Sequence, residues 1–163
     1  MKDLLEKYGI RDFTEGELFR KCIPPAVLYE NVLPTLCILQ KIRDTIRIPI
    51  VIHSAYRDPV YNYRVHGAIH SLHLKFNALD FSPAGFDAVQ IRKLYMDIAS
   101  GKFNLEMQWK GRLINVNENI MGLGLYPAFI HLDTRGVLGR KGSRFEVKPG
   151  PTSDVRRKER SKA

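Results

Sequence analysis

The sequence predicts an α+β fold, a small antiparallel β-sheet flanked by helices. Helical periodicity dominates the first 47 residues, and short β-branched segments dominate from residue 48 to residue 135. Between them there is no regular strand–helix–strand alternation of the kind a parallel sheet requires. A chain of 163 residues with 44 % hydrophobic content suits one packed core, with little room for a second.

The elements follow in order. Thr14 is placed to N-cap the helix TEGELFRKC. Pro24 and Pro25 interrupt the chain and can open the next helix. Across residues 26–47, Val27, Leu28, Val32, Leu33, Leu36, Ile38, Leu39 and Ile42 recur at helical spacing, with Pro34 placed to kink or split the segment. The β-branched IPIVIHSAYR, residues 48–57, reads as a strand ending on Arg57. A second short strand is expected around residues 78–81. Ser82-Pro83 is expected to start a helix that runs through VQIRKLYMDIAS to Gly101. KFNLEMQW and RLINV flank Lys110-Gly111 as a hairpin, and GLGLY and FIHLDTR supply the last strands.

Composition narrows the function classes. No apolar run approaches the roughly 20 residues that a membrane-spanning helix needs. MKDLLEKYGIRDF has no apolar stretch with a small-residue cleavage site, so no secretory signal is expected. Cys22 and Cys37 form no C-x-x-C pair and read as reduced, mostly buried thiols. Charge is uneven. Residues 139–163 hold nine Lys or Arg against three carboxylates, a net +6 of the chain's +9. This basic segment is expected to be a flexible tail behind a domain spanning residues 1–138. Its charge favours polyanions such as anionic wall polymers. Nucleic acid is the weaker expectation, because neither zinc-finger spacing nor an RNA-recognition aromatic motif is present.

SLHLKFNALD, residues 71–80, carries the first chemical signal. A lone histidine is usually an ordinary core or surface residue. His73 and Asp80 could share a metal ion only if the chain turned back between them. Seven extended residues would part them by about 23 Å, and seven helical ones by about 10 Å. A turn near Phe76-Asn77 is therefore required, with Asn77 the residue better suited to a left-handed conformation. In PAFIHLDTRG, strand alternation puts Phe129, His131, Asp133 and Arg135 on one face, with Ile130 and Leu132 on the other. His131 is then the candidate third ligand. A His/Asp/His set leaves one tetrahedral position of a zinc ion open for water, as catalytic sites do. Arg57 could bind a carboxylate or a developing oxyanion, or simply be a solvated strand-end arginine.

Together, SAYRDPVYNYRVHGAIHSLHLKFNALD and GLGLYPAFIHLDTRG resemble two motif blocks of the zinc D-Ala-D-Ala carboxypeptidase and endopeptidase family, peptidase M15. The likeness is to its subgroup of bacterial cell-wall endopeptidases and covers roughly residues 12–137. It implies the Hedgehog/DD-peptidase fold and one zinc per chain held by His73, Asp80 and His131. It implies Arg57 as the group on the substrate carboxylate or oxyanion, and Ser71, Asn62 and Tyr126 as residues shaping the substrate pocket. The implied substrate is the peptide stem or cross-link of peptidoglycan; the chain is expected to be a monomer. A form made in the cytoplasm without a signal is typical of viral lysins or virion-associated wall enzymes. Two positions depart from the pattern. Phe76 stands where relatives commonly have glycine, and residues 125–130 supply no acidic or histidine base ahead of His131. Asp133 is the candidate base, or else a group that orients His131. His66 and His70 are expected to line the cleft as loop residues. A zinc-stabilised wall-binding module that has lost catalysis is the alternative.

Overall fold

The computed structural model describes residues 1–115, 121–133, 135 and 143–146. Helices lead: α1 (Lys2–Lys7) and α2 (Glu15–Leu18), then a 3-10 segment (Ala26–Val32) continuing into α3 (Leu33–Ile46). Strand β1 (Ile50–Ser54), helix α4 (Pro59–Arg64), a second 3-10 turn (Leu72–Lys75), strand β2 (Ala78–Pro83) and helix α5 (Ala88–Ala99) follow. The hairpin β3 (Glu106–Trp109) and β4 (Arg112–Asn115) comes next, then β5 (Gly122–Leu125), β6 (Ile130–Asp133) and β7 (Ser143–Glu146).

The main sheet runs β1-β2-β6-β5-β7. Each of its first four strands is antiparallel to its neighbours among them, as expected, and β7 joins β5 in parallel. β7 falls inside the basic segment expected to be a flexible tail, so sheet structure reaches past residue 138. The remainder of that segment lies outside the described residues. No helix among the described residues is long and apolar enough to cross a membrane.

Local chemistry explains most boundaries. Thr14 caps α2 through a reciprocal bond pair with Glu17. Pro34 splits the long periodic segment: tight 3-10 turns precede it, and it sits in the first turn of α3, where its missing N–H costs nothing. The expected helix start at Ser82-Pro83 is corrected. Both residues pair with β1, and β2 is buried along its whole length between two neighbours. α5 instead starts after Asp87, which forms a capping box with Gln90. It ends at Ala99, and Gly101, just past the Ser100 cap, has φ +79°. Lys110 and Gly111 both have positive φ, the backbone of a tight primed hairpin turn between β3 and β4.

The core lies behind the sheet. Leu79 and Phe81 of β2, Leu123 of β5 and Ile130 and Leu132 of β6 join Leu36, Leu39 and Ile42 of α3 and Ile91, Leu94 and Ile98 of α5 in one cluster. With these residues facing inward, period-2 alternation turns Asp80, Ser82, His131 and Asp133 to the opposite face.

Candidate metal centre and cleft

The turn between His73 and Asp80 exists, and Phe76 makes it. Phe76 adopts the left-handed conformation, φ +55° and ψ +34°, while Asn77 leads into β2. The expectation that Asn77 would take that conformation is therefore corrected. The reason is packing. Phe76 is fully buried against Phe19 and Tyr56, ring centroids 6.2 Å away in each case. Asn77 keeps a negative φ, its N–H on the Leu72 carbonyl and its carbonyl accepting from Thr35 Oγ1 of α3. The turn is pinned further by Asn31 Nδ2 on the Lys75 carbonyl and by the Arg57 N–H on the His73 carbonyl.

Register does the rest. Asp80 on β2 lies directly across from His131 on β6, and Ser54 on β1 lies across from Asp80. His73 Nε2, Asp80 Oδ1 and His131 Nδ1 converge, with separations of 3.2 Å, 3.3 Å and 2.8 Å around the triangle. Three donors about 2.1 Å from a tetrahedral zinc would stand about 3.3–3.5 Å apart, so the triangle is close to the size of one zinc face. All three residues are buried, and they form the one group among the described residues that could hold a metal ion.

The hydrogen bonds behind the triangle set the tautomers. His73 Nδ1–H donates to the Ala55 carbonyl at 2.6 Å, which leaves the Nε2 lone pair for an ion. His131 Nε2–H donates to Asp133 Oδ2 at 3.0 Å, which leaves Nδ1. This carboxylate–histidine arrangement is the usual support of a metal-bound imidazole. Asp133 is in turn held by the Nε, Nη2 and backbone N–H of Arg135. Gly122 lies opposite Asp133 across β5–β6, and a Cβ there would collide with the Asp133 carboxylate and Arg135 Nε. The first glycine of G-x-G thus makes room for this buried pair.

Electrostatics fits a cation site. Burial opposes ionisation of Asp80, but its contacts with His131 and His73 outweigh it and hold the carboxyl far below its ordinary range. Burial pushes His73 down, so it is neutral near pH 7 and able to donate a lone pair. Burial also disfavours the His131 cation. Asp133 and Asp80 more than compensate, and without an ion its pKa is pushed up to about 9.

These groups floor a cleft of about 560 Å³. Arg57 reaches it from beyond β1, because the strand ends at Ser54 and not at Arg57. Its Nε donates to Ser54 Oγ at 2.8 Å, and its Nη2 pairs with Asp80 Oδ2, leaving Oδ1 toward the histidines. Ser71 lines the cleft and accepts from the His73 N–H. Tyr126 lines it too, stacked on Phe129 with centroids 4.4 Å apart. Asn62 does not line it. It is buried under the neighbouring loop, donating to the Ala68 carbonyl at 3.1 Å, and Gly67 packs against its amide. His66 and His70 lie on the wall as expected. Sequence reasoning missed Lys21 and the His53–Ser82 pair, Nε2 to Oγ 2.7 Å. Spacing held no signal for either, since α2, β1 and β2 meet only in the folded chain.

No curated protein matches the chain. A family model described as peptidase M15 matches residues 12–110, which include Arg57, His73 and Asp80. His131 lies beyond that match and is brought to the other two by the β2–β6 register. The match spans more than half of the sequence and runs through two members of the buried triangle: the chain belongs to the peptidase M15 family.

Proposed function

We propose that the protein is a zinc-dependent peptidase that cuts peptide bonds in the stem peptides or cross-links of bacterial peptidoglycan. The observation that carries this reading is the His73/Asp80/His131 triangle, with tautomers set and dimensions suited to one zinc. Bound there, a zinc ion would polarise the scissile carbonyl and lower the pKa of water toward about 7. The chain's own groups do the remainder. Asp133 fixes the orientation and tautomer of His131. Of the two roles open to it this is the one its contacts favour, because His131 and Arg135 occupy both of its oxygens. Arg57 steadies Asp80 with one nitrogen, and its other N–H groups are available to a substrate carboxylate or oxyanion. Ser71 and Tyr126 shape the cleft around the substrate. Asn62 supports that wall from behind. Proton transfer falls to the imidazoles on the walls. Of these, His53 is pushed down by burial and is neutral at pH 7.

The engagement of both cleft carboxylates favours a second reading, a zinc-stabilised module that binds the wall without cutting it. One set of measurements separates the two. Purified protein should carry about one zinc per chain. Defined muropeptides, followed by mass spectrometry with and without a chelator, should yield shorter peptides only in the chelator-free arm. His73→Ala should lose both zinc and cleavage. Cleavage retained in that variant would overturn the zinc mechanism. Zinc and peptidoglycan bound without any cleavage would establish the binding module.

A further inference from the structure

The Lys, Arg and Asp side chains among the described residues of the cleft are Lys21, Arg57, Arg135, Asp80 and Asp133. Arg57 pairs with Asp80 and Arg135 with Asp133. Lys21 has no ion pair among the described residues. Its Nζ rests over the Tyr61 ring, 5.8 Å from the centroid. Lys21 is therefore the one Lys or Arg of the cleft without a carboxylate partner among the described residues, and a divalent ion at the triangle adds to its charge. Field lines concentrate in such a low-dielectric recess, so it attracts anionic ligands.

Position gives this charge a specific reader. Ser82 lies two residues along β2 from Asp80, on the same face, which is about 6.6 Å of strand. His53 bonds to Ser82 and faces Phe129, ring centroids 6.2 Å apart. Lys21 and His53 both line the cleft, and the Lys21 cation adds to the burial that keeps His53 neutral. The Ser82 contact holds His53 on the wall that Lys21 shares.

We propose that Lys21, on the cleft wall with His53, forms a carboxylate-binding subsite that selects peptides bearing a free acidic group. The proposal rests on the peptidase reading for its substrate and goes beyond it in naming a charge requirement. Arg57 pairs with Asp80 at the centre itself, whereas Lys21 reads the substrate from the cleft wall.

The test uses full-length, zinc-loaded protein and matched stem peptides, each free carboxyl left ionised or amidated one at a time. Titration calorimetry and cleavage assays read both members of each pair. For one carboxyl, the ionised peptide should bind about tenfold tighter, with the advantage shrinking as salt rises. Lys21→Gln should bring the ratio near one, Lys21→Glu should invert it, and Lys21→Arg should keep it. An unchanged ratio in Lys21→Gln, or no preference in the parent protein, overturns the subsite. Stem peptides cleaved without Lys21-dependent preference would sink the subsite and leave the peptidase standing. If stem peptides neither bind nor are cut, unrelated acidic peptides and their amides decide. Lys21-dependent preference among those sustains the subsite while the peptidoglycan reading falls, and its absence removes both.

Discussion

Phe76→Gly sets two physical terms against each other. Glycine relieves the left-handed backbone at φ +55°, worth about 1–2 kcal/mol. It also removes a ring that is fully buried against Phe19 and Tyr56. Truncating a core phenylalanine to alanine costs about 3–5 kcal/mol, and glycine adds roughly 0.4–1 kcal/mol through the freer unfolded chain. Packing wins, and the net loss is about 2–4 kcal/mol, or about 5–15 °C in Tm for a chain of this size. The assay is urea denaturation of Phe76→Gly and Phe76→Ala beside the parent. Alanine loses the same ring without relieving the backbone, so it should be the less stable variant by about 1 kcal/mol. A glycine variant as stable as the parent would refute the packing argument. Equal stability of the two variants would refute the conformational one.

Three further outcomes are expected. Asp133→Asn should weaken zinc retention by about 10- to 100-fold in a chelator competition, because His131 loses the carboxylate that sets its tautomer. Gly122→Ala should act through the same pair by pushing the Asp133–Arg135 contact apart, lowering Tm by several degrees and weakening zinc retention with it; a fully stable, zinc-retaining variant would contradict the close approach. The metal-free protein should lose stability as pH rises from about 6.5 to about 9. His131 has its folded pKa raised, so its contribution is complete below its unfolded pKa and disappears through its folded one. Thermal melts of chelator-treated protein across that range would show it, and flat melts would remove the His131–Asp133–Asp80 coupling.

Sequence alone determined what local rules govern. Alternation assigned Ile130 and Leu132 to the core and His131 and Asp133 to the other face, because strand side chains change sides at every residue. The H-x(6)-D spacing required a chain reversal, because no regular element brings those two side chains to one ion. Thr14 marked the start of α2 through its side-chain chemistry. Tertiary structure decided what depends on neighbours. Phe76 took the left-handed turn from Asn77 because its ring fills the space below α2 and beside Tyr56, an energy that no local propensity contains. Ser82-Pro83 became strand because β1 pairs with them. Arg57 met Asp80, and Lys21 arrived at the cleft from beyond the end of α2. Each of these placements comes from contacts between segments far apart in the chain, and residue spacing along one segment carries no information about them.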